Sequence, residues 1–297
     1  MVSSLALRRD RKGNVSSLRV ATLAILVWPA LLAAFDASRG ALGGRPLNEV
    51  IHRSGWWALL FLMASLAVTP LRQSAGFSRL FDVRRMIGVA AFCYAAAHLT
   101  LYVVDQRFDL VKVATEIVSR LYLTIGFVAL LGLFALAATS NDTMLKRLGG
   151  LKWRRLHQLA YGITLLALIH FFQQTKADIT QPTLYAGLFG WMMGYRLFAK
   201  AGEGALAWPA LVGLAVLASA LTFAGDFLGI WITAGRPPVL EFLPLYAGAI
   251  LDPDLGIRPG WLVLAAGILV AGLAALQSWR RRAAPPRRRP LATAATS

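Results

Sequence analysis

Eight long apolar stretches leave this chain little choice of solvent. They fall at about 18–35, 50–69, 86–104, 121–138, 156–172, 183–199, 206–224 and 261–279. Most approach the roughly 17–25 residues that a helix needs to cross a hydrocarbon core of about 30 Å. The chain is 57% hydrophobic with a mean hydropathy of +0.59, whereas ordinary soluble domains are about 45–50% apolar. The expected fold is therefore an all-α integral membrane protein. The extents of the second and fifth stretches are the least defined.

A net charge of +17 raises the question of nucleic acid. Its distribution answers against it. Of the 31 Lys and Arg, 22 lie in the N-terminal arm (Arg8, Arg9, Arg11, Lys12, with Arg19), the 70–85 and 139–155 loops, Arg196 with Lys200, and the tail from Arg280 to Arg289. All these fall on one side of an eight-span chain, which the positive-inside rule makes cytoplasmic. Both termini are then expected inside an inner membrane. The basic loops mostly lack the interleaved aromatics of a single-strand binder, so no nucleic-acid partner is expected.

Residues 8–35 resemble a signal peptide in outline, with a basic start and an apolar run. About 18 apolar residues exceed the usual 7–15 of an h-region, and an uncleaved helix restores an even span count. Cys93 is the single cysteine, so no intramolecular disulfide is expected and no C-x-x-C-H exists for covalent haem attachment. No dinucleotide or Walker glycine motif follows a strand, so electrons would come from another protein or from quinol.

Ionisable side chains within membrane segments are costly and tend to be functional, and neutral imidazole is a common axial ligand of haem iron. The stretch Trp153 to Phe172, read as one helix, carries His157 near one end and His170 thirteen residues on. At about 1.5 Å per residue these lie roughly 20 Å apart along the axis. In the third stretch His98 lies thirteen residues beyond Arg85, on one face with Tyr94 and Tyr102. The third and fifth spans run in the same direction, so equal offsets from the basic end mean equal depth. His98 and His170 are therefore expected to meet in the outer half and to hold one haem.

His157 has no histidine at its level. Arg84 lies there instead, suited to a haem propionate or a flavin phosphate but not to iron. Arg85, Arg154 and Arg155 are the further candidates for such an anion. Thirteen residues at about 100° each set His157 and His170 apart around an ideal helix, so a tilt, a bulge or differently oriented cofactors is required. His52, at the outer rim, reads as a solvated or hydrogen-bonding residue. The competing reading of all four histidines is ordinary packing and capping.

The portion from about Arg45 to Arg196 resembles the MsrQ (YedZ) family, haem-binding membrane subunits of bacterial MsrPQ methionine sulfoxide reductase systems, similar in turn to ferric reductase and NADPH oxidase transmembrane domains. The resemblance rests on several residues in one order. These are His52 with Gly55, Thr69-Pro70-Leu71, Arg84-Arg85-Met86 with Gly88, His98-Leu99, Tyr122-Leu123-Thr124 with Gly126, Thr139-Ser140, Leu148-Gly149, Trp153, Leu156-His157, Tyr161, His170 and Tyr185-Ala186-Gly187. The oxidase relatives carry a histidine pair on each of two helices, and here Arg84 stands in the place of one of the four.

The resemblance implies a six-helix ferric reductase-like haem bundle over 18–200, after a cytoplasmic arm over 1–17. Two extra C-terminal membrane helices over 201–280, enclosing a periplasmic loop at 225–260, and a disordered basic tail over 281–297 lying against anionic lipid complete the expected organisation. It also implies haem b, one or two, with FMN as a further candidate. Electrons would enter from a cytoplasmic flavin reductase or quinol and pass to MsrP, a periplasmic molybdenum enzyme that repairs methionine sulfoxide in oxidised proteins. On this reading the chain is an electron-transfer subunit and not the catalytic one. The alternatives are a cytochrome that reduces an extracytoplasmic metal directly and a membrane scaffold or transporter without redox chemistry.

Overall fold

A computed structural model describes residues 16–175, 178–202, 204–252, 254 and 256–283. The N-terminal arm with Arg8, Arg9, Arg11 and Lys12 and the tail with Arg287 to Arg289 lie outside the described residues. Those that are described form helices joined by turns, with no strand among them. In chain order the helices are α1 (Ser17–Ser38), α2 (Pro46–Ser74), α3 (Arg84–Asp105), α4 (Leu110–Ser119), α5 (Leu121–Ala138), α6 (Asp142–Leu148), α7 (Gly150–His157), α8 (Leu159–Gln174), α9 (Thr180–Ala201), α10 (Trp208–Thr233), α11 (Val239–Leu251) and α12 (Pro259–Ala283).

Each of the eight apolar stretches contributes a helix. Six of them, α1, α2, α3, α5, α10 and α12, are long and apolar enough to cross a membrane. The fifth stretch yields only the 16-residue α8, about 24 Å long at 1.5 Å per residue, and the sixth yields α9. This is a multi-pass membrane protein. Large apolar side chains such as Ile25, Leu131, Phe134 and Leu269 are exposed on the outside of the bundle, as lipid contact requires.

The interior is organised by three helix pairs, α2 against α3, α10 against α12 and α5 against α8, with α3 also meeting α5. Helix α9 packs on α2, α8, α10 and α12 and so joins the two C-terminal spans to the rest. Association of helices in lipid depends on close packing and interhelical hydrogen bonds. Both are present along α9. Gly187 lies against Thr222 and Val263, Gly194 against Leu214, and Gly267 of α12 against Ala215 and Trp191. Tyr195 is fully buried, its hydroxyl bonded to Ser74 Oγ at 3.0 Å and to Gln73 Oε1 at 3.1 Å.

Three sequence expectations are corrected. First, Trp153 to Phe172 is not one helix: α7 ends at His157 and α8 starts at Leu159, with Gln158 as a turn between them. Second, 225–260 is largely helical, holding the last turns of α10, all of α11 and the first residues of α12. Within it Asp226 is fully buried, with Arg258 and the Tyr246 hydroxyl both donating to its Oδ2. Third, the 139–155 loop contains α6 and α7. Asn141 caps α6, accepting from Met144 N at 2.8 Å, an arrangement common at helix starts. The outer 105–120 segment holds α4, capped by Asp109 accepting from Lys112 N at 2.9 Å.

Candidate functional site

The equal-depth argument places His98 and His170 together, and they do meet. Their ring centroids are 6.4 Å apart with the planes at 83°. Each ring is held the same way. His98 donates from Nδ1 to the carbonyl of Ile51 on α2 at 2.7 Å, and His170 donates from Nδ1 to the carbonyl of Tyr122 on α5, also at 2.7 Å. A carbonyl can only accept, so Nδ1 must carry the proton in both rings. The lone pair is then on Nε2, the state in which imidazole binds a metal.

The spacing suits one iron. Two metal–imidazole bonds of about 2.0–2.1 Å plus two half-rings come to roughly 6 Å between centroids. Among the described residues no group of three His, Cys, Asp or Glu could hold a bare metal ion, whereas a haem, whose macrocycle supplies four nitrogens, asks only for axial ligands from the protein. The surroundings are apolar and aromatic: Tyr122 stacks near His170 with centroids 6.5 Å apart, and Tyr94 packs edge-on to Phe61.

Above the pair, on the side away from the basic loops, a polar chain joins α3, α4 and α5. Tyr102 donates to Glu116, and Arg120 contacts Glu116 at 3.4 Å and Tyr122 Oη at 3.2 Å. Arg107 and Phe108, both with positive φ, turn the chain sharply into α4.

His157 is built differently. Its ring stacks on Trp153 with centroids 3.8 Å apart, and its Nε2 lies 3.3 Å from Thr139 Oγ1. Trp153 Nε1 donates to the Thr139 carbonyl at 2.9 Å. Arg84 and Arg85 lie near enough for their charges to act on His157. Arg84 is half-buried and has no carboxylate partner among the described residues, whereas Arg85 pairs with Asp142 at 2.7 Å. Arg154 and Arg155 are exposed on α7, and His52 is exposed at the far rim. Sequence reasoning missed Thr139 as a partner of His157, and it missed Arg196. The Arg196 guanidinium lies 5.2 Å from the Tyr161 ring and donates to the carbonyls of Met192 and Leu66. A lone arginine near a helix end carries no signal of such contacts.

Comparison with known proteins identifies the family. Residues 54–168 match the family described as ferric reductase like transmembrane component, a range that includes His98 and His157 and ends just before His170. The heme-binding subunit MsrQ of the protein-methionine-sulfoxide reductase of Xanthomonas euvesicatoria pv. vesicatoria is 42% identical over 190 residues, which is 64% of this chain and 86% of that protein. This chain belongs to the MsrQ family. The MsrQ of Rhodospirillum rubrum is 41% identical over 190 residues, covering 64% of this chain and 89% of the relative. The Xanthomonas campestris pv. campestris (strain 8004) MsrQ is 43% identical over the same length. No solved structure matches. As an MsrQ family member, the chain is a multi-pass helical membrane protein of the ferric reductase-like class, and a third of it extends beyond the part that these relatives cover.

Proposed function

We propose that this protein is the haem-binding electron-transfer subunit of a methionine sulfoxide reductase system, with His98 and His170 as the axial ligands of one b-type haem. The observation that carries this reading is the close pair of imidazoles, 6.4 Å between centroids, each with Nδ1 engaged by a carbonyl and Nε2 left for metal. When bound, the haem supplies a reversible one-electron couple. The chain's own part is to orient both rings, to keep water from them with an apolar bundle, and to fix the tautomer that can ligate.

Electrons enter at the basic, cytoplasmic end, from a flavin reductase or quinol, and leave on the opposite side to a periplasmic molybdenum enzyme of the MsrP type that repairs oxidised proteins. His157 and Arg84 serve the entry side. Arg84 there is a half-buried cation without a carboxylate, suited to a propionate or to the phosphate of FMN. Arg85, Arg154 and Arg155 border the same end, and their charge favours an anionic cofactor or a donor protein with an acidic face.

Reduced-minus-oxidised visible spectra of the purified chain test the ligand assignment. A low-spin b-type signal is expected in the wild type and should be lost in His98→Ala and in His170→Ala. A normal bis-imidazole spectrum in His170→Ala would overturn it.

A further inference from the structure

The two histidines are held by like contacts, although the Ile51 carbonyl also accepts from Ser54 Oγ at 2.8 Å, and the likeness extends to the chain around them. The Ile51 carbonyl that holds His98 comes one helical turn before Gly55, and a Cβ on Gly55 would lie 3.0 Å from His98 Nδ1 and 3.1 Å from Cε1. The Tyr122 carbonyl that holds His170 comes one turn before Gly126, where a Cβ would lie 2.9 Å from both Nδ1 and Cε1 of His170. The separation from carbonyl residue to histidine is 47 in one case and 48 in the other.

Aligned on these glycines, GWWALLFLMASLA (55–67) and GFVALLGLFALAA (126–138) are identical at seven of thirteen positions. Each belongs to the first helix of a closely packed pair, α2 with α3 and α5 with α8. Since α2 and α5 run in the same direction and α3 and α8 both return, the two pairs are parallel copies of one hairpin, related by an axis along the membrane normal.

We propose that Gly55 and Gly126 are equivalent positioning residues, one in each copy, whose missing side chains let the ligand imidazoles reach the carbonyls of Ile51 and Tyr122. A helical carbonyl is already engaged by the N–H four residues on and accepts a second bond only from a donor that comes in close beside the helix. The residue four places later lies on that same face. Any Cβ there occupies the approach of the ring. Each Nδ1–H bond in turn makes Nε2 a stronger donor and favours ferric over ferrous iron. The inference rests on the ligand reading above, which His98→Ala and His170→Ala test separately.

The experiment compares Gly55→Ala and Gly126→Ala in the full-length haem-loaded protein with Gly88→Ala and Gly162→Ala, whose Cβ positions meet nothing within 4 Å. Haem content, low-temperature electron paramagnetic resonance and midpoint potential are read. Both first-pair variants should keep a bis-imidazole haem with altered g values and a raised potential, Gly126→Ala by more because its contacts are tighter, while the controls match wild type. Wild-type spectra and potential in both Gly55→Ala and Gly126→Ala would overturn the proposal. Should either variant lose haem, thermal unfolding of its haem-free form decides. An unfolding temperature equal to that of haem-free wild type supports a positioning role, and a lowered one means that the glycine serves helix packing alone.

Discussion

The indole of Trp153 lies on the imidazole of His157, 3.8 Å between centroids and 24° from parallel, while Thr139 engages both residues. His157 is thus held by its own end of the molecule and not by the partners that hold His170. Its loss should not resemble loss of His98. In His157→Ala, dithionite should still reduce the outer haem, and reduction by a cytoplasmic flavin donor should fail. Unchanged donor-driven reduction and cofactor content would reduce His157 to a packing residue.

Orientation follows from charge. A reporter fused at Gly149, between α6 and α7, should report the cytoplasm, because the flanking segment carries Lys146, Arg147, Lys152, Arg154 and Arg155. A periplasmic signal from that fusion would reverse the direction assigned to electron flow.

The C-terminal spans are fastened by a buried ion pair. Asp226 has no exposed surface and Arg258 little, so Asp226→Ala leaves a guanidinium without its carboxylate, while the Tyr246 hydroxyl keeps the Phe223 carbonyl. Breaking a buried pair costs about 3–5 kcal/mol. Detergent-solubilised Asp226→Ala should unfold at markedly lower temperature, yet its haem spectrum should survive, because the histidines stand on α3 and α8.

Alkaline pH probes the same network. Burial, then the hydrogen bond to Asp226, raises the pKa of the Tyr246 hydroxyl above its ordinary value. A raised pKa means that the folded chain holds this proton more tightly than the unfolded chain. The stabilisation is therefore complete below about pH 10, the ordinary tyrosine value, and declines as pH climbs through the folded value. Stability measured from pH 8 upward should show that decline in wild type and a flatter profile in Tyr246→Phe; identical slopes would refute it.

Close packing on α9 makes a further contrast. Gly187→Ala thrusts a methyl group at Thr222 and Val263, whereas Gly190→Ala meets nothing within 4 Å. Overpacking of this kind costs about 1–3 kcal/mol. Thermal unfolding should show the loss in the first variant only, and an equal effect in both would contradict the packing described for α9 against α10 and α12.

The meeting of His98 and His170 was legible in the sequence because depth in a membrane is a matter of counting: two parallel spans and equal offsets suffice. What counting cannot reach depends on neighbours distant in sequence. The burial of Asp226 has no local sign, because the Tyr246 hydroxyl and the Arg258 guanidinium that donate to it come 20 and 32 positions later. The break at Gln158 has no Pro or Gly to announce it, so an apolar run with helical periodicity read straight through. Gly55 and Gly126 were visible as markers, but their use as places for imidazoles to rest appears only when α3 and α8 are set beside them.

That break at Gln158 lies between two ends that are held separately. A continuous helix would carry any rotation of its basic end directly to His170. Gln158 itself keeps helical backbone angles, φ −70° and ψ −21°, so what separates the two ends is their anchors. The Tyr122 carbonyl on α5 holds the His170 ring and Thr139 holds the Trp153–His157 stack, so on the proposed reading a donor that shifts α7 acts on one set of contacts and leaves the other in place.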